Sequence, residues 1–597
     1  YVQLIAERRD RDAYLTARSP NPFASVCGRV CAAPCEDRCR RGKIDAPVSI
    51  RALKRFVAEK YGVESMLPDT QDELSAGASE PGNKWPGHLP VQVRSGRAAA
   101  TGKRVAVVGS GPAGLSCAHD LARMGYGVTV FEASGVSGGM LRHGIPEYRL
   151  LRSVIDKEIE KIRSLGVEVV YRKPLTEEFG LSELRRMGFD AVFLSVGTTK
   201  GRDLEVEGAG LDGVIKAVDY LLNENNGYRM NLGRRVVVIG GGFVAFDAAR
   251  MALRVGPQEE TGSLHEAVDV ARTAVRSGAS EVHIVSLESF AEMPVLRTAQ
   301  GQEEFEEAKR EGIRFHPQRG PRRFIGADGR VTAVEFRGVT RTYDESGAFR
   351  PVYDDSVSEM LGADSVILAI GQRADLSFLR PGDGVTLTPA GFIKVDPDTL
   401  ATGAPGIFAG GDAAFGPRNI IDAVANGKRA ALSIDELFRE RRSTVSYELS
   451  VEQIPTRRFT RPEAFEQVPR EAPPTIDLGR RTGVSEVEVG YSEEQARQQA
   501  ERCLSCHIQT IYDPEKCVLC NRCVDVCPEY CLSLVPVEDL ALDAPTRQRL
   551  LEQYALDPLR PMTAMIKDDD TCIRCGLCAV RCPTDAMTME VFYYEQR

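Results

Sequence analysis

Residues 104–134 read RVAVVGSGPAGLSCAHDLARMGYGVTVFEAS, and this stretch decides the fold. An apolar strand leads into Gly109-x-Gly111-x-x-Gly114, and a helix follows. A second apolar strand then ends at Glu132. Glycines at this spacing permit a tight turn, close approach of the backbone to a pyrophosphate, and close packing of helix on strand. The helix N-terminus favours the anion, and the acid accepts a hydrogen bond from a ribose hydroxyl. The stretch therefore predicts a dinucleotide-binding fold rather than an isolated tight turn.

The motif occurs a second time in RRVVVIGGGFVAFDAARMALRVG, residues 234–256. Gly240 and Gly242 take its first two glycine positions, and Ala245 takes the third, where alanine is allowed. The second strand of this unit comes only after an insertion, at EVHIVSL, residues 281–287. The sequence therefore predicts two dinucleotide folds in tandem.

A third stretch, GIFAGGDAAFGPRNIIDAVANGKRAAL at 406–432, places Asp412 after a strand and a Gly-Gly pair, at the start of a helix. This arrangement suits a backbone that closes over the pyrophosphate and ribityl chain of a flavin. Because the stretch lies beyond the second motif, we expect the first domain to be split, with a nicotinamide domain inserted between its halves. Two such folds favour electron exchange between a flavin and a nicotinamide.

Two cysteine runs near the end of the chain, CVLCNRCVDVCP and CIRCGLCAVRCP, share the spacing C-x2-C-x2-C-x3-C-P. In bacterial two-cluster ferredoxins, three close cysteines bind one cluster and the fourth crosses to the other. The predicted ligands of one [4Fe–4S] cluster are Cys517, Cys520, Cys523 and Cys582. Those of the other are Cys572, Cys575, Cys578 and Cys527. Cys531 and Cys117 are left over, and we expect both to be buried small apolar side chains.

Composition limits the function classes. The net charge of −9 argues against a nucleic-acid-binding protein, which usually has a basic face. No apolar run approaches the ~18 residues of a membrane span. Clustered C-x-x-C spacing among the 16 cysteines indicates metal binding in a reducing compartment, not a disulfide scaffold. We therefore expect a cytoplasmic protein, or one on the cytoplasmic face of a membrane complex.

The phrases GGMLRHGIPEYRL, AVFLSVGT, GGGFVAFDAARMALR, SVILAIGQ and GIFAGGDA resemble the glutamate synthase small-subunit family, and the N-terminal half of dihydropyrimidine dehydrogenase is similar too. The resemblance covers roughly residues 1–440 and implies FAD at the first site and NAD(P) at the second. It implies no catalytic acid or nucleophile, because the cofactors carry the chemistry. The implied FAD contacts are Gly109, Gly111, Gly114, Glu132, Gly139, Met140, Arg149, Gly411 and Asp412. The implied nicotinamide nucleotide contacts are Gly240, Gly242, Phe243, Val244, Ala245, Glu288, Ala369 and Gly371.

The resemblance also bears on the choice of nicotinamide. In the NADPH-using relatives, a basic pair after the second strand grips the 2′-phosphate, whereas the matching residues here are Leu287 and Glu288. A carboxylate repels a phosphate and suits a free ribose diol. This predicts NADH over NADPH, with Arg250 and Arg297 as the residues that could still reach a phosphate from elsewhere.

PNPFASVCGRVCAAPCEDRCRRG, residues 20–42, resembles the N-terminal iron–sulfur domain of the same family. Cys31, Cys35 and Cys39 match ligand positions, and Cys27 matches a cysteine that need not be a ligand. Relatives carry further cysteines just before the point where this chain begins, so we expect a C-x3-C-P upstream of Tyr1. One or two clusters would involve this front domain.

Cys503 and Cys506, in AERCLSCHIQT at 500–510, are surplus to the two ferredoxin clusters. In dihydropyrimidine dehydrogenase-like chains a very similar RCLxC phrase stands at the start of the front domain and supplies cluster ligands. We therefore expect this pair to complete an N-terminal cluster, carried back across the fold by the predicted helix SEEQARQQAER. A zinc knuckle and a redox-inert pair are the alternatives.

The predicted fold class is α/β, with an N-terminal helical iron–sulfur domain and a C-terminal bacterial-type ferredoxin domain. The predicted division is an iron–sulfur domain at 1–62, a linker at 63–100, the first half of the FAD domain at 101–230, an NAD(P)-binding domain at 231–362, the second half of the FAD domain at 363–440, a linker or strap at 441–500 and the ferredoxin domain at 501–597.

The predicted function is that of an electron-transfer subunit in a hetero-oligomer. It would oxidise NADH or NADPH at FAD and pass single electrons through [4Fe–4S] clusters to a partner subunit or a ferredoxin. The alternatives are a self-contained NAD(P)H:ferredoxin or electron-bifurcating oxidoreductase, glutamate synthase small subunit proper, and a cluster-bearing scaffold with a vestigial nucleotide site.

Overall fold

The structure is a computed structural model, and it describes residues 1–65, 84–86, 98–254, 278–440, 447–455, 468–553 and 562–596. Its α-helices are Val2–Ala6, Asp10–Arg18, Ala24–Val30, Pro34–Asp37, Ile50–Tyr61, Pro112–Arg123, Met140–His143, Arg152–Arg163, Leu181–Arg186, Ala217–Asn225, Phe243–Arg254, Ala299–Arg310, Asp412–Phe415, Ile420–Arg439, Glu493–Glu501, Arg522–Asp525, Ala544–Gln553 and Leu577–Arg581. The α/β class with two parallel, Rossmann-like sheets is confirmed.

The first parallel sheet contains the first glycine motif. Its strands lie in the order Ile407–Ala409, Ala191–Leu194, Arg104–Val108, Gly127–Phe131 and Glu168–Val170. The three central strands are apolar and almost entirely buried, as expected for a parallel sheet covered on both faces. The strand Ile407–Ala409 comes from far along the chain, so this domain is split as predicted.

The second parallel sheet contains the second glycine motif. Its strands lie in the order Arg314–His316, Glu281–Val285, Arg235–Ile239, Ser365–Leu368 and Val214–Lys216. The domain boundaries therefore differ from the predicted 231–362, because one strand precedes that range and another follows it. Short apolar strands of two parallel sheets look alike in sequence, and only pairing shows which sheet each one joins.

Between the edge strand Arg314–His316 and the strand Ser365–Leu368, the chain forms an antiparallel sheet. Its strands are Arg319–Ala327, Arg330–Tyr343 and Phe349–Gly362. A two-stranded ladder of Lys200–Gly201 and Gln372–Arg373 lies where the chain passes between the two dinucleotide domains. The antiparallel sheet therefore belongs to the nicotinamide side of the molecule.

The front domain is helical, as expected, and it shares its core with a distant segment of the chain. Ile5, Leu53 and Phe56 pack in one cluster with Ala496 and Ala500 of the helix Glu493–Glu501. The helix predicted just before Cys503 is thus present, and its apolar face is buried against the front domain.

The C-terminal domain builds a sheet around the strand Met587–Gln596. Lys84–Pro86, Tyr447–Ile454 and Ile508–Tyr512 all pair with it antiparallel. The antiparallel strands Leu532–Pro536 and Thr563–Lys567 form a second, two-stranded sheet, and Leu532 and Met565 of these strands pack in one cluster with cysteines of the ferredoxin domain. The two segments predicted as linkers thus each contribute a strand here, and 66–83, 87–97, 441–446 and 456–467 lie outside the described residues.

Within the described ranges, no helix combines the length and apolar composition that a membrane span needs.

Candidate functional site

A cavity of about 1430 Å³ lies between the two parallel sheets and is lined by both glycine motifs. Fifteen of the predicted dinucleotide contacts line it, namely Gly109, Gly111, Glu132, Gly139, Met140, Arg149, Gly240, Gly242, Phe243, Val244, Glu288, Ala369, Gly371, Gly411 and Asp412. The two that do not are Gly114 and Ala245. A Cβ on Gly114 would lie 2.0 Å from the carbonyl oxygen of Gly109, and Ala245 is fully buried, so both serve helix–strand packing.

The glycine loops leave room for a cofactor backbone. A Cβ added to Gly111 or to Gly242 would meet no protein atom of the described ranges within 4 Å, because both face the cavity. Gly109 adopts a φ of +98°, and a Cβ there would lie 2.5 Å from the carbonyl oxygen of Ser195. The turn therefore requires glycine for its backbone and for close approach, and the open cradle fits two dinucleotides.

Glu132 stands at the end of its strand, where it is held in place by neighbouring donors. Its carboxylate accepts hydrogen bonds from the backbone N–H of Ser110 at 3.0 Å and that of Ser134 at 2.7 Å. The Ser110 hydroxyl donates to the same carboxylate. This fixes the acid beside the glycine turn, where a ribose hydroxyl of the flavin dinucleotide would be recognised.

Asp412 lies on the same cavity, at the start of a short helix. Burial raises the pKa of its carboxyl to about 6. The Thr198 hydroxyl donates to it at 3.4 Å, and the backbone N–H of Arg418 donates at 3.2 Å. These donors hold the Asp412 carboxyl at the cavity wall, where the sequence pattern predicts the pyrophosphate and ribityl chain of a flavin.

On the nicotinamide side, Glu288 is largely buried, and burial raises the pKa of its carboxyl. Its Oε2 lies 3.4 Å from the position that a Cβ on Gly241 would take. Glu288 thus stands against its glycine turn as Glu132 stands against the first one.

The three arginines named from the sequence are engaged with other side chains. Arg149 lines the cavity but pairs with Asp247 at 2.6 Å. Arg250 is buried and pairs with Glu311 at 2.9 Å, and the Arg297 guanidinium lies 5.5 Å from the ring centre of Tyr343. Neither Arg250 nor Arg297 is among the described residues that line the cavity.

Each predicted ferredoxin set surrounds one small cavity. One is lined by Cys517, Cys520, Cys523 and Cys582, and the other by Cys527, Cys572, Cys575 and Cys578. The fourth cysteine of each run thus lies with the first three of the other run. Four thiolates around one site are the donor set of a [4Fe–4S] cluster.

Cys531 is a fifth cysteine on the second of these cavities. It is buried, as expected, but its Sγ lies 3.3 Å from the Sγ of Cys527. The sequence predicts a spare apolar residue here, and nothing in the spacing of Cys531 indicates a position beside the cluster site. Cys117 is fully buried in the core of the first dinucleotide domain.

The front cysteines differ in their surroundings. Cys31 is buried, Cys39 is half-buried and Cys35 is exposed, while Cys27 is fully buried in a helix. Val30 and Ala32, on either side of Cys31, line the large dinucleotide cavity. No sequence pattern indicates that the front domain reaches the flavin site, because this contact joins segments distant in the chain.

Cys503 and Cys506 lie where the front domain meets the ferredoxin domain. The adjacent Arg502 is fully buried, and its guanidinium donates to Asp45 at 2.7 Å and to the carbonyl oxygen of Pro47 at 2.9 Å. Cys39 directly precedes the short 3-10 helix Arg40–Lys43, and the chain continues from this helix to Asp45 and Pro47. The pair is thus held against the loop that follows the front cysteines.

Two dinucleotide sites on one cavity, flanked by clustered thiolates, define an NAD(P)H-dependent flavin oxidoreductase with attached iron–sulfur domains. The chain belongs to the pyridine nucleotide-disulphide oxidoreductase family, whose pattern matches residues 103–427, more than half of its length. Residues 1–65 match dihydropyrimidine dehydrogenase domain II, 4Fe-4S cluster, and residues 516–586 match a 4Fe-4S dicluster domain. These matches confirm the resemblance seen in the sequence and the presence of flavin, pyridine nucleotide and iron–sulfur modules.

Three relatives cover most of the chain. The NADP(+)-dependent formate dehydrogenase subunit beta of Moorella thermoacetica is 37% identical, over 85% of this chain and 68% of its own length. The NADPH-Fe(3+) oxidoreductase subunit beta of Geobacter sulfurreducens is 32% identical, over 85% and 73% respectively. The glutamate synthase [NADPH] small chain of Mycobacterium tuberculosis is 32% identical, over 72% and 81%. The names of all three describe oxidoreductase components.

Proposed function

We propose that the chain is the electron-transfer subunit of a hetero-oligomeric oxidoreductase. It oxidises NADH at FAD and delivers single electrons through [4Fe–4S] clusters to a partner protein. When bound, the flavin and the clusters supply hydride acceptance and one-electron transfer. The chain's own residues bind these groups and bring them within reach of one another.

The observation that carries this proposal is the contact between the front domain and the flavin cavity. Val30 and Ala32 belong to the cavity wall, and Cys31 stands between them. A cluster held by Cys31, Cys35 and Cys39 would therefore border the flavin directly. A cluster at this position would accept electrons from the flavin. A hydride transfer that ended at the flavin would need no neighbouring cluster.

The next step of the path crosses to the ferredoxin domain. Leu504, inside the C-x-x-C, packs with Ile573, and Cys575 borders the same contact. We propose that Cys503 and Cys506 are ligands of a front-domain cluster that stands at this crossing. The set of Cys527, Cys572, Cys575 and Cys578 would then receive the electrons first.

The other ferredoxin site faces outward. Cys520 is exposed, and its neighbours Val518 and Leu519 are 62% and 49% exposed. Both aliphatic side chains also line the cavity of Cys517, Cys520, Cys523 and Cys582. This site is the proposed exit to the partner, because an apolar rim around a redox centre suits protein docking.

The choice of NADH rests on Glu288. A carboxylate beside the glycine turn attracts a ribose diol and repels a 2′-phosphate. The names of the three relatives contain NADP or NADPH, so the chain's preference must be measured directly. Comparing kcat/KM for NADH and NADPH decides the point, and a clear preference for NADPH would contradict it.

Two relatives are named as beta subunits and one as a small chain, which supports a partner subunit. The clustered free thiols support a reducing, cytoplasmic setting, or the cytoplasmic face of a membrane complex. Purification of the chain with its native partner and a count of subunits would test the assembly.

The electron path can be tested with the anaerobic holoprotein. NADH should bleach the flavin absorbance and then produce the EPR signals of reduced clusters. Gly242→Leu fills the nucleotide cradle, so NADH should no longer reduce the clusters while dithionite still does. Gly210→Leu is the matched control, because Gly210 is exposed, lies outside the cavity and also has open space around its Cα.

If NADH reduced the flavin but never the clusters, the proposed transfer to the iron–sulfur domains would be wrong. If Gly242→Leu left cluster reduction by NADH unchanged, the assignment of the nicotinamide site would be wrong.

A further inference from the structure

The nicotinamide end of the large cavity has an apolar and aromatic wall that the proposed path does not use. Leu287, Pro321, Phe349 and Tyr353 line it, and the cationic side chain of Arg337 stands among them. Arg337 and Tyr353 come from neighbouring strands of the antiparallel sheet. These five side chains together form the aromatic wall.

Arg337 is held flat within the aromatic wall. Its guanidinium carbon lies 3.6 Å from the ring centre of Tyr353, which is the distance of direct stacking. Its Nε is buried and has no hydrogen-bond partner among the described residues. Its ion pair to Asp355 spans 3.6 Å to a carboxylate that is mostly exposed, so this pair holds it weakly.

The aromatic wall stands directly beside the ribose-recognising acid. The backbone N–H of Gln318 donates to the carbonyl oxygen of Glu288 at 3.1 Å, and the Thr342 hydroxyl donates to that of Leu287 at 3.0 Å. A Cβ on Gly320 would lie 2.6 Å from the Tyr353 ring and 3.0 Å from the Leu287 side chain. The wall therefore occupies the position next to the adenosine ribose of a nucleotide bound at the second glycine motif.

We propose that Arg337 binds the adenine ring of the nicotinamide dinucleotide, with Tyr353 stacked on the opposite face of its guanidinium. A guanidinium is planar and weakly hydrated, so it stacks on a flat aromatic ring at little desolvation cost. The apolar neighbours favour a purine, whereas a phosphate here would lie beside the Glu288 carboxylate.

This proposal rests on the nucleotide site of the proposed function but not on its iron–sulfur path. The first test measures binding of 5′-AMP to the flavin-loaded full chain by calorimetry. Arg337→Ala should weaken binding about tenfold, the loss of one stacking contact. Tyr353→Leu should give a smaller loss, because the cation remains but is no longer held flat.

Arg322→Ala is the matched control. Arg322 belongs to the same sheet and lies 3.8 Å from the same Asp355, but it does not line the cavity. Its replacement removes an equal charge and should leave 5′-AMP binding unchanged. An equal loss in the two arginine variants would overturn the proposal, since it would reflect net charge or sheet stability.

A second ligand separates adenine recognition from phosphate recognition. If Arg337→Ala weakened 2′,5′-ADP binding far more than 5′-AMP binding, Arg337 would read the 2′-phosphate and the proposal would be wrong. An equal loss for both ligands supports it.

Reduced nicotinamide mononucleotide, which lacks the adenosine half, gives the third readout. Flavin reduction by this mononucleotide should be equally fast in the native chain and in Arg337→Ala, while reduction by NADH should be about tenfold less efficient. If Arg337→Ala lowered the efficiency of flavin reduction equally with both donors, the variant would have a structural defect and the proposal would be wrong. If neither donor reduced the flavin even in the native chain, the proposed function would fail, and 5′-AMP binding would still test Arg337.

Discussion

Leu504 and Ile573 are both almost fully buried, and they pack against each other where three segments of the chain meet. Leu504 lies between Cys503 and Cys506, and Ile573 follows Cys572 of the ferredoxin domain. Ile44 of the front domain borders the same contact. A C-x-x-C that the ferredoxin clusters do not need is thus placed between two iron–sulfur domains.

The first prediction concerns the iron content. Replacing Cys503 and Cys506 together with alanine should remove about four irons, because one [4Fe–4S] cluster loses two ligands. FAD content should stay unchanged, since the pair does not line the dinucleotide cavity. Chemical iron analysis and quantitative EPR measure the effect, and Cys117→Ala in the flavin-domain core serves as control. Full iron content in the double variant would leave a redox-inert pair as the explanation.

The second prediction separates two glycines of one motif. Gly114→Ala should lower stability by about 1–3 kcal/mol, because its Cβ would meet the Gly109 carbonyl oxygen at 2.0 Å. Gly111→Ala should leave the apoprotein's stability unchanged but weaken FAD binding, because its Cβ projects into the open cradle. Thermal unfolding of the apoproteins and FAD titration distinguish the two effects. Equal behaviour of the two variants in both assays would contradict the assigned roles.

The third prediction concerns a buried carboxyl between the front and flavin domains. Glu158 accepts hydrogen bonds from the backbone N–H of Ser25 at 2.8 Å and of Val26 at 3.2 Å. Burial raises the pKa of Glu158 to about 7, well above its ordinary value. The folded state therefore binds this proton more tightly than the unfolded state does. Its contribution to stability is fully present below pH ~4.5 and is lost as pH rises to about 7.

Glu158→Gln should remove that component of the pH dependence. The loss in the native chain amounts to at most about 3 kcal/mol across this window. Thermal midpoints of both proteins at pH 5 and pH 8 give the comparison, and the native chain should show the larger drop. An identical drop in both would mean that Glu158 does not titrate in this range.

The fourth prediction concerns a buried ion-pair cluster behind the nicotinamide site. Glu311 pairs with Arg250 at 2.9 Å, Arg254 at 2.6 Å and Arg481 at 2.9 Å. Although burial alone would raise the pKa of Glu311, Arg250 and Arg254 hold it well below its ordinary value. Glu311→Gln leaves three guanidinium groups without their shared carboxylate and should cost about 3–5 kcal/mol.

Glu306→Gln is the matched control, because Glu306 lies on the helix Ala299–Arg310 that ends directly before Glu311. Glu306 is exposed, and its pair with Lys309 spans 3.4 Å, so its loss should cost less than about 1 kcal/mol. Differences in thermal midpoint between the two variants measure the contrast. A Glu311→Gln protein as stable as the control would show that the cluster contributes no net stability.

Much of the fold could be predicted from short stretches of sequence. The glycine spacing occurs at 104–134 and again at 234–256, and in each unit an acid follows the second strand. This combination specifies a local turn that few other folds require. The return of the first domain at 406–432 could likewise be predicted from one strand and its Gly-Gly-Asp. These features are local, because each depends on backbone geometry within one supersecondary unit.

Other assignments depended on which segments meet in space. The strands Val214–Lys216 and Ser365–Leu368 belong to the nicotinamide sheet, although both lie outside the predicted range 231–362. The composition of a short buried strand does not show which other strand it pairs with. Arg337 is on a long strand with charged neighbours and looks like a member of a solvated face in the sequence. Only its stacking on Tyr353 at the cavity wall distinguishes it.

The sequence by itself therefore determined the two dinucleotide folds and the two ferredoxin cysteine runs, because spacing alone constrains those turns and thiolates. The tertiary structure decided how these units meet. The Arg- and Glu-rich segment before Cys503 has the composition of a linker, yet Arg481 and Arg497 in it are buried in ion pairs with distant carboxylates. Such charges can leave water only where another segment of the chain supplies the opposite charge, and that partner is known only once the chain has folded.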